Sequence, residues 1–186
     1  MMQGAALTVD ERALVAGALA DPAAFAAVYD HYFPRIYSYI RYRVPDAATA
    51  DDLTAGVFER VLTSLDRYNP EQAPFAAWLF TIARNVVTDH LRALGRHRWL
   101  SLDVLRGQAS LAPAPDDLAL AGEERTLLLH ALARLSDRER DLLALKFVAE
   151  LTNRRIAALT GLSESNVGVI LYRAIGRLRA DLQREL

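Results

Sequence analysis

The sequence predicts an all-α protein: two small helical domains joined by a flexible linker, the C-terminal one containing a helix-turn-helix. Three observations carry that prediction. Apolar residues recur at three- and four-residue steps through almost the whole chain, as amphipathic helices require. No run alternates apolar and polar residues as a strand would. The stretch from Ser101 to Glu123 interrupts the pattern with Gly107, the Ala112-Pro113-Ala114-Pro115 run and the acids Asp116 and Asp117. Proline fixes extended backbone and disfavours helix at the residue before it. The predicted divisions are residues 1–100, a linker over 101–123, and residues 124–186. A length of 186 residues suits two small domains, and a hydrophobic fraction of 52% excludes a wholly disordered chain.

In the first division, Asp21-Pro22 is an N-cap followed by proline at the first helical position. The helix behind it carries the stripe Phe25, Tyr29, Tyr32/Phe33, Ile36 and Ile40. Pro45-Asp46 closes that helix and caps the next, whose stripe is Leu53, Val57, Val61 and Leu65. Asn69 to Pro74 is a loop by composition. A long helix follows, with Phe75, Trp78/Leu79, Ile82, Val86, His90/Leu91 and Leu94 along one side.

In the last division, Ser136-Asp137-Arg138-Glu139 fits a capping box, with Leu142/Leu143, Leu145 and Phe147 behind it. Ile156, Ala157 and Leu159 then form the inward face of a short helix. Gly161 falls where a tight helix–helix turn needs positive φ. Leu162 plugs the core, Ser163 caps the second helix, and Val167, Leu171, Ala174 and Leu178 are its buried stripe. A second helix of this kind enters the major groove with its N-terminal residues near base edges. The groove-facing candidates are Ser163, Ser165, Asn166 and Val169, with Tyr172, Arg173 and Arg177 further along for phosphates and Arg154 and Arg155 gripping the backbone from the first helix.

Charge narrows the function. The net charge is −1, so nucleic-acid binding must come from local patches. Residues 69–100 carry four basic against two acidic groups and residues 124–186 eleven against eight, separated by acidic stretches. The absence of cysteine excludes disulfides, thiolate zinc sites, iron–sulfur clusters and a cysteine nucleophile. The apolar run Ala13 to Ala20 is far shorter than the roughly 20 residues that span a bilayer, and Asp10 and Glu11 make a poor signal peptide. These features predict a cytoplasmic protein with no membrane insertion.

An enzyme is not indicated. There is no Gly-x-Gly-x-x-Gly, phosphate-binding loop, His-Glu-x-x-His or nucleophile elbow. His31, His90, His97 and His130 form no metal-ligand pair at helical spacing; no metal and no cofactor is expected. Aromatic and basic residues do converge in the first division. Tyr68, Phe75 and Trp78 lie close in sequence to Arg84, Asn85, Asp89, Arg92, Arg96 and Arg98, the equipment for single-stranded DNA, where bases stack on rings and guanidinium groups hold phosphates. At helical spacing Phe75 and Trp78 equally suit a core, and both readings stand at this point.

The motifs together resemble a known family. Asp21-Pro22-Ala23-Ala24-Phe25, Pro34-Arg35-Ile36-Tyr37, Asp51-Asp52-Leu53, Val57-Phe58, Phe75 to Asn85 (with Trp-Leu-Phe-Thr-Ile-Ala-Arg-Asn the most specific string) and Asp89-His90-Leu91-Arg92 resemble region 2 of bacterial sigma factors of the extracytoplasmic-function type. Leu135 to Arg140, the helix-turn-helix and Tyr172-Arg173-Ala174 are similar to region 4. The resemblance implies a transcription initiation factor that binds core RNA polymerase, with region 2 capturing the opened −10 element and region 4 reading the −35 element as duplex. It implies −10 contacts from Tyr68, Asn69, Trp78, Arg84, Asn85, Asp89 and Arg92, and polymerase contacts from Asp51, Asp52, Leu53, Phe58 and Arg60. Its partners would be core RNA polymerase, promoter DNA and an anti-sigma factor.

Two departures from the family pattern stand out. Where a Gln and an acidic residue usually follow the Asp-Leu-x of the clamp-binding helix, this chain has Ala55 and Gly56. Where Lys or Arg often follow the valine of the recognition helix, it has Gly168 and Ile170, which predicts weaker −35 binding that leans on Asn166, Arg173 and the Arg154/Arg155 pair. The competing function is a helix-turn-helix regulator that does not act through core polymerase, its first division serving as a dimerisation or sensing bundle.

Overall fold

The computed structural model describes residues 11–44, 46–100 and 127–185. The expectations placed on Asp10, on Pro45, on the side chains of Arg96, His97 and Arg98, and on the linker 101–123 lie outside the described residues or side chains. Among the described residues the regular structure is helical: α1 (Glu11–Ala20), α2 (Phe25–Arg41), α3 (Ala47–Ser64), α4 (Phe75–Leu100), α5 (127–133), α6 (Asp137–Phe147), α7 (Asn153–Thr160) and α8 (Glu164–Glu185).

Local chemistry sets the helix starts. The Asp21 carboxylate accepts from the Ala23 N–H at 2.9 Å and starts a single 3₁₀ turn, with Pro22 at its first position, that leads into α2. Asp46 caps α3 through the Thr49 N–H at 2.7 Å. Ser136 and Glu139 form the reciprocal capping box of α6, and Thr152 caps α7. These caps satisfy N–H groups that the first helical turn cannot pair internally. Pro34 lies inside α2 without ending it, although it lacks the N–H that would bond one turn back.

The first four helices enclose an aromatic core in which Tyr32, Tyr39, Phe75 and Phe80 are fully buried beside Val28, Ile36, Val57 and Leu79. The α2 stripe is rotated from the predicted one. Val28 and Tyr39 take core places, while Tyr29 is 38% exposed, because a series advancing by four residues drifts around a helix of 3.6 residues per turn. The same correction applies at two helix ends: Phe147 is 60% exposed and Leu94 is 48% exposed. Phe75 belongs to the core, with its ring 5.4 Å from Tyr32 and 5.2 Å from Tyr68.

Glu11 ties α1 to this bundle. Its carboxylate accepts from the Tyr32 hydroxyl and, at 3.0 Å, from the Ala76 N–H in the first turn of α4, where the helix dipole favours an anion. Burial, then Glu11, pushes the Tyr32 phenol well above its ordinary value, so it stays a donor. The second module is aliphatic. Leu142, Leu145, Ile156, Val167 and Ala174 are its fully buried residues on α6, α7 and α8, with Leu171 nearly so. The two modules pack on one another through α2, α4, α6 and α7.

Candidate nucleic-acid interface

The first candidate surface lies along α4 and the loop before it. The loop is folded by its own polar groups: Asn69 accepts from the Glu71 N–H at 2.9 Å, and the Tyr68 hydroxyl donates to the Ala73 carbonyl at 3.0 Å. Tyr68 and Trp78 are half-buried and stack obliquely, 5.3 Å between centroids, on the buried Phe75. Phe75 is thus the anchor, and Tyr68 and Trp78 are the partly accessible rings. Burial raises the Tyr68 phenol above its usual value. Between Tyr68, Pro70 and Glu71 of the loop and Glu11, Arg12, Val15 and Leu19 of α1 runs a cleft of about 400 Å³.

Further along α4, Asn85, Asp89 and Arg92 are exposed and fall on successive turns, with Arg92 only loosely paired to Asp89 at 3.8 Å. Arg84 is different. Its side chain is 23% exposed and is held by the Asp141 carboxylate at 2.9 Å and the Leu159 carbonyl at 3.3 Å. The structure therefore exposes Asn85, Asp89 and Arg92 along α4, groups Tyr68 with Trp78, and turns Arg84 toward the second module, where Trp78 also lines a cleft with Leu151, Arg155 and Leu159.

The second candidate surface is the helix-turn-helix. Gly161 ends α7 in the left-handed region at φ 74°, and its N–H donates to the Ala157 carbonyl at 2.9 Å. Ser163 accepts from the Asn166 N–H at 3.3 Å and so caps α8, and its hydroxyl lies 3.2 Å from that of Ser165 in the first turn. Val167, Leu171 and Ala174 turn inward, which leaves Ser163, Ser165, Asn166, Val169, Tyr172 and Arg173 exposed on the other face. Tyr172 is 81% exposed and Val169 46%, values a packing role does not explain. Arg154 and Arg155 are exposed at the start of α7. Arg177 forms an ion pair with Glu139, which neutralises the contact predicted for it in this arrangement.

The third surface is α3. Asp51, Asp52 and Arg60 are exposed and Leu53 is half-buried, but Phe58 is only 4% exposed. Phe58 packs 4.6 Å from the Tyr29 ring and 6.5 Å from Phe33, so it supports an aromatic ledge on α2 rather than presenting itself. Sequence periodicity missed Tyr29, Phe33 and the exposed Leu62 as members of this face. Among the described residues no cluster of His, Asp or Glu could hold a metal, and no helix is long and apolar enough to cross a membrane.

Residues 28–97 match the family described as Sigma-70 region 2, and residues 125–178 match Sigma-70, region 4. The chain is 35% identical over 159 residues to the ECF RNA polymerase sigma factor BldN of Streptomyces coelicolor, an alignment that takes in 83% of this chain and 59% of BldN. It is 31% identical over 162 residues to the ECF RNA polymerase sigma factor RpoE of Cereibacter sphaeroides, covering 87% of this chain and 88% of that protein. The fold is similar to that of the sigma factor RpoE of Bartonella quintana, solved in complex with the anti-sigma factor NepR, with a TM-score of 0.71, 23% identity and coverage of 86% and 96%.

Proposed function

Because the chain belongs to the ECF sigma factors of RNA polymerase, we propose that it binds core RNA polymerase and directs it to a subset of promoters. The first module would capture the −10 element as it opens and the second would read the −35 element as duplex. The observation that carries this is the exposed N-terminal face of α8, from Ser163 to Arg173, on the same chain as the exposed Asn85, Asp89 and Arg92 of α4. A regulator acting through the helix-turn-helix alone has no use for the second of these surfaces.

The division of labour follows from chemistry. Tyr68 and Trp78 offer ring faces for stacking, and Arg92 and Arg84 offer guanidinium groups for phosphate. The cleft beside the 69–74 loop would take an everted base, whose unstacking costs a few kcal/mol, offset by stacking and hydrogen bonds. On α8, Ser163, Ser165, Asn166 and Val169 would meet base edges, and Tyr172, Arg173, Arg154 and Arg155 would hold phosphates. Asp51, Asp52, Leu53 and Arg60, on the same helix as Phe58, would meet the polymerase. The protein works in the cytoplasm, where its template is, and catalyses no reaction itself. An anti-sigma factor is a fitting partner, since all three surfaces stand open to being covered.

Reconstitution tests the reading. The purified chain is mixed with core polymerase and a genomic fragment library, and transcript starts are sequenced. A shared pair of upstream motifs is expected; no initiation above core alone would favour the independent regulator. At the −35 end, Arg173→Ala is expected to weaken duplex binding and to reduce the slope of log affinity against log salt by about one. Unchanged affinity across salt would remove Arg173 from the site.

A further inference from the structure

From Ser163 to Tyr172 the second helix of the helix-turn-helix carries no lysine or arginine, and its single charge is Glu164. Its outward face has an apolar centre instead. Val167, Leu171 and Ala174 are buried, and at about 100° per residue Val169 stands roughly opposite them, exposed. Tyr172, one turn on, is more exposed still. Asn166, one turn back, is also exposed, its backbone N–H held by Ser163. By the same geometry Glu164 lies off this face, toward the buried side. Gly168, beside Val169, presents no side chain, although a Cβ there would make only an ordinary contact, 3.7 Å from the Asn153 amide nitrogen. Packing thus accounts for neither the bare Gly168 nor the outward Val169.

We propose that α8 reads A·T base pairs: Val169 packs on the 5-methyl group of a thymine, and Asn166 bonds the adenine edge of a neighbouring pair. The inference rests on the reading of α8 as the helix that lies in the major groove of the −35 element. That groove shows a different pattern for each base pair. Guanine offers paired acceptors, matched by the forked donors of arginine or by lysine, and this stretch holds neither. Cytosine offers an amino group that a carboxylate accepts, but Glu164 is turned aside. Thymine alone of the four bases puts a methyl group in the groove, and an aliphatic side chain complements it. Adenine shows an acceptor beside a donor, which an asparagine amide answers with two bonds. Residues three apart on a helix are separated by about 4.5 Å along its axis, against about 3.4 Å between base pairs, so Asn166 and Val169 address neighbouring pairs.

The apolar contact has a signature of its own. Burying one methyl-sized group is worth about fourfold in affinity. That gain does not depend on counterion release, whereas the phosphate contact of Arg173 weakens as salt rises. The two contributions therefore separate in one salt titration.

The test uses holoenzyme reconstituted from the full chain and core polymerase. Duplexes are selected from a library randomised upstream of the start, and each thymine of the selected upstream element is replaced by deoxyuridine, which loses the 5-methyl and keeps the pairing. One replacement is expected to weaken binding about fourfold at every salt concentration. It should have no effect on Val169→Ala, and Val169→Ile should restore the sensitivity. Asn166→Ala is expected to lose about tenfold in discrimination at a neighbouring adenine. Both positions are exposed, so these substitutions leave the core intact. Deoxyuridine tolerated at every position, with Arg173→Ala still weakening the complex, would overturn the thymine contact and leave α8 in the groove. If neither deoxyuridine nor Arg173→Ala altered binding, the −35 reading itself would fall, and the thymine contact with it.

Discussion

The two modules offer arginine and small polar groups to nucleic acid from differently built interiors. The first is packed around Tyr32, Tyr39, Phe75 and Phe80; the second around Leu142, Leu145, Ile156 and Val167. Buried tyrosines bring hydroxyl groups that need partners in the interior, and here the partners are carboxylates: Glu11 for Tyr32 and Asp141 for Tyr39. An aliphatic core makes no such demand. The first module therefore satisfies its buried hydroxyls with one carboxylate of its own, Glu11, and one from the second module, Asp141, whereas the second packs mainly hydrocarbon and buries only the acids Glu139 and Asp141. A surface arginine on the first module is consequently available to be recruited inward, as Arg84 is, while Arg173 on the second stays outward.

The largest expected effect tests the difference in interiors. Phe75 is fully buried and contacts the rings of Tyr32, Tyr68 and Trp78. Phe75→Ala is expected to cost about 3–5 kcal/mol in urea unfolding, while Ile156→Val in the second module costs about 0.5–1.5 kcal/mol. Because Tyr68 and Trp78 lean on Phe75, the same substitution should weaken single-stranded DNA binding and leave duplex binding by α8 intact. Equal losses at both DNA sites would break the comparison, since the modules would then share one fate.

Much of this was legible in the sequence because its signals are local. The capping box at Ser136 and Glu139, the caps at Asp46 and Ser163, and the positive-φ turn at Gly161 each depend on residues within a few positions of one another, and the structure holds them as read. Faces were less secure. Tyr29 and Phe147 continue an apolar rhythm yet lie outside, because the rhythm fixes a helix but not which of two adjacent stripes meets its neighbours. The Asp141 cluster left almost no trace. Tyr39, Arg43 and Arg84 stand 57 to 102 residues from it, and Asp141 itself closes the charged run Asp137 to Asp141, which reads as a solvated helix start.

The next expected effect concerns the turn that aims α8. Gly161 has φ 74°, and a Cβ built there meets no atom within 4 Å, so the cost of a side chain is one of backbone conformation only. Gly161→Ala is expected to destabilise by about 1–2 kcal/mol in thermal or urea unfolding. Gly56, in the middle of α3, is the counter-case. A Cβ there also meets nothing within 4 Å, but the backbone is helical, so Gly56→Ala should stabilise by about 1 kcal/mol and raise Tm by about 2–4 °C. Opposite signs from one chemical change would confirm that backbone conformation, not space, separates these two glycines. A loss at both positions would break this account of the two glycines.

The smallest expected effect lies at the start of the same helix and depends on pH. Asp46 is fully exposed, and its carboxylate accepts from the Thr49 hydroxyl at 2.6 Å and the Thr49 N–H at 2.7 Å. The hydroxyl bond first and the N–H bond second hold its pKa below the ordinary aspartate value. A carboxyl with a lower pKa folded than unfolded adds stability that is complete above the unfolded value, about 3.9, and that drains away as pH falls through the folded one. The Tm difference between wild type and Asp46→Ala should therefore be level from neutral pH down to about pH 5 and shrink below about pH 4. A difference that survived unchanged into stronger acid would mean that the neutral carboxyl caps α3 as well as the anion does, and that charge contributes nothing at this helix start.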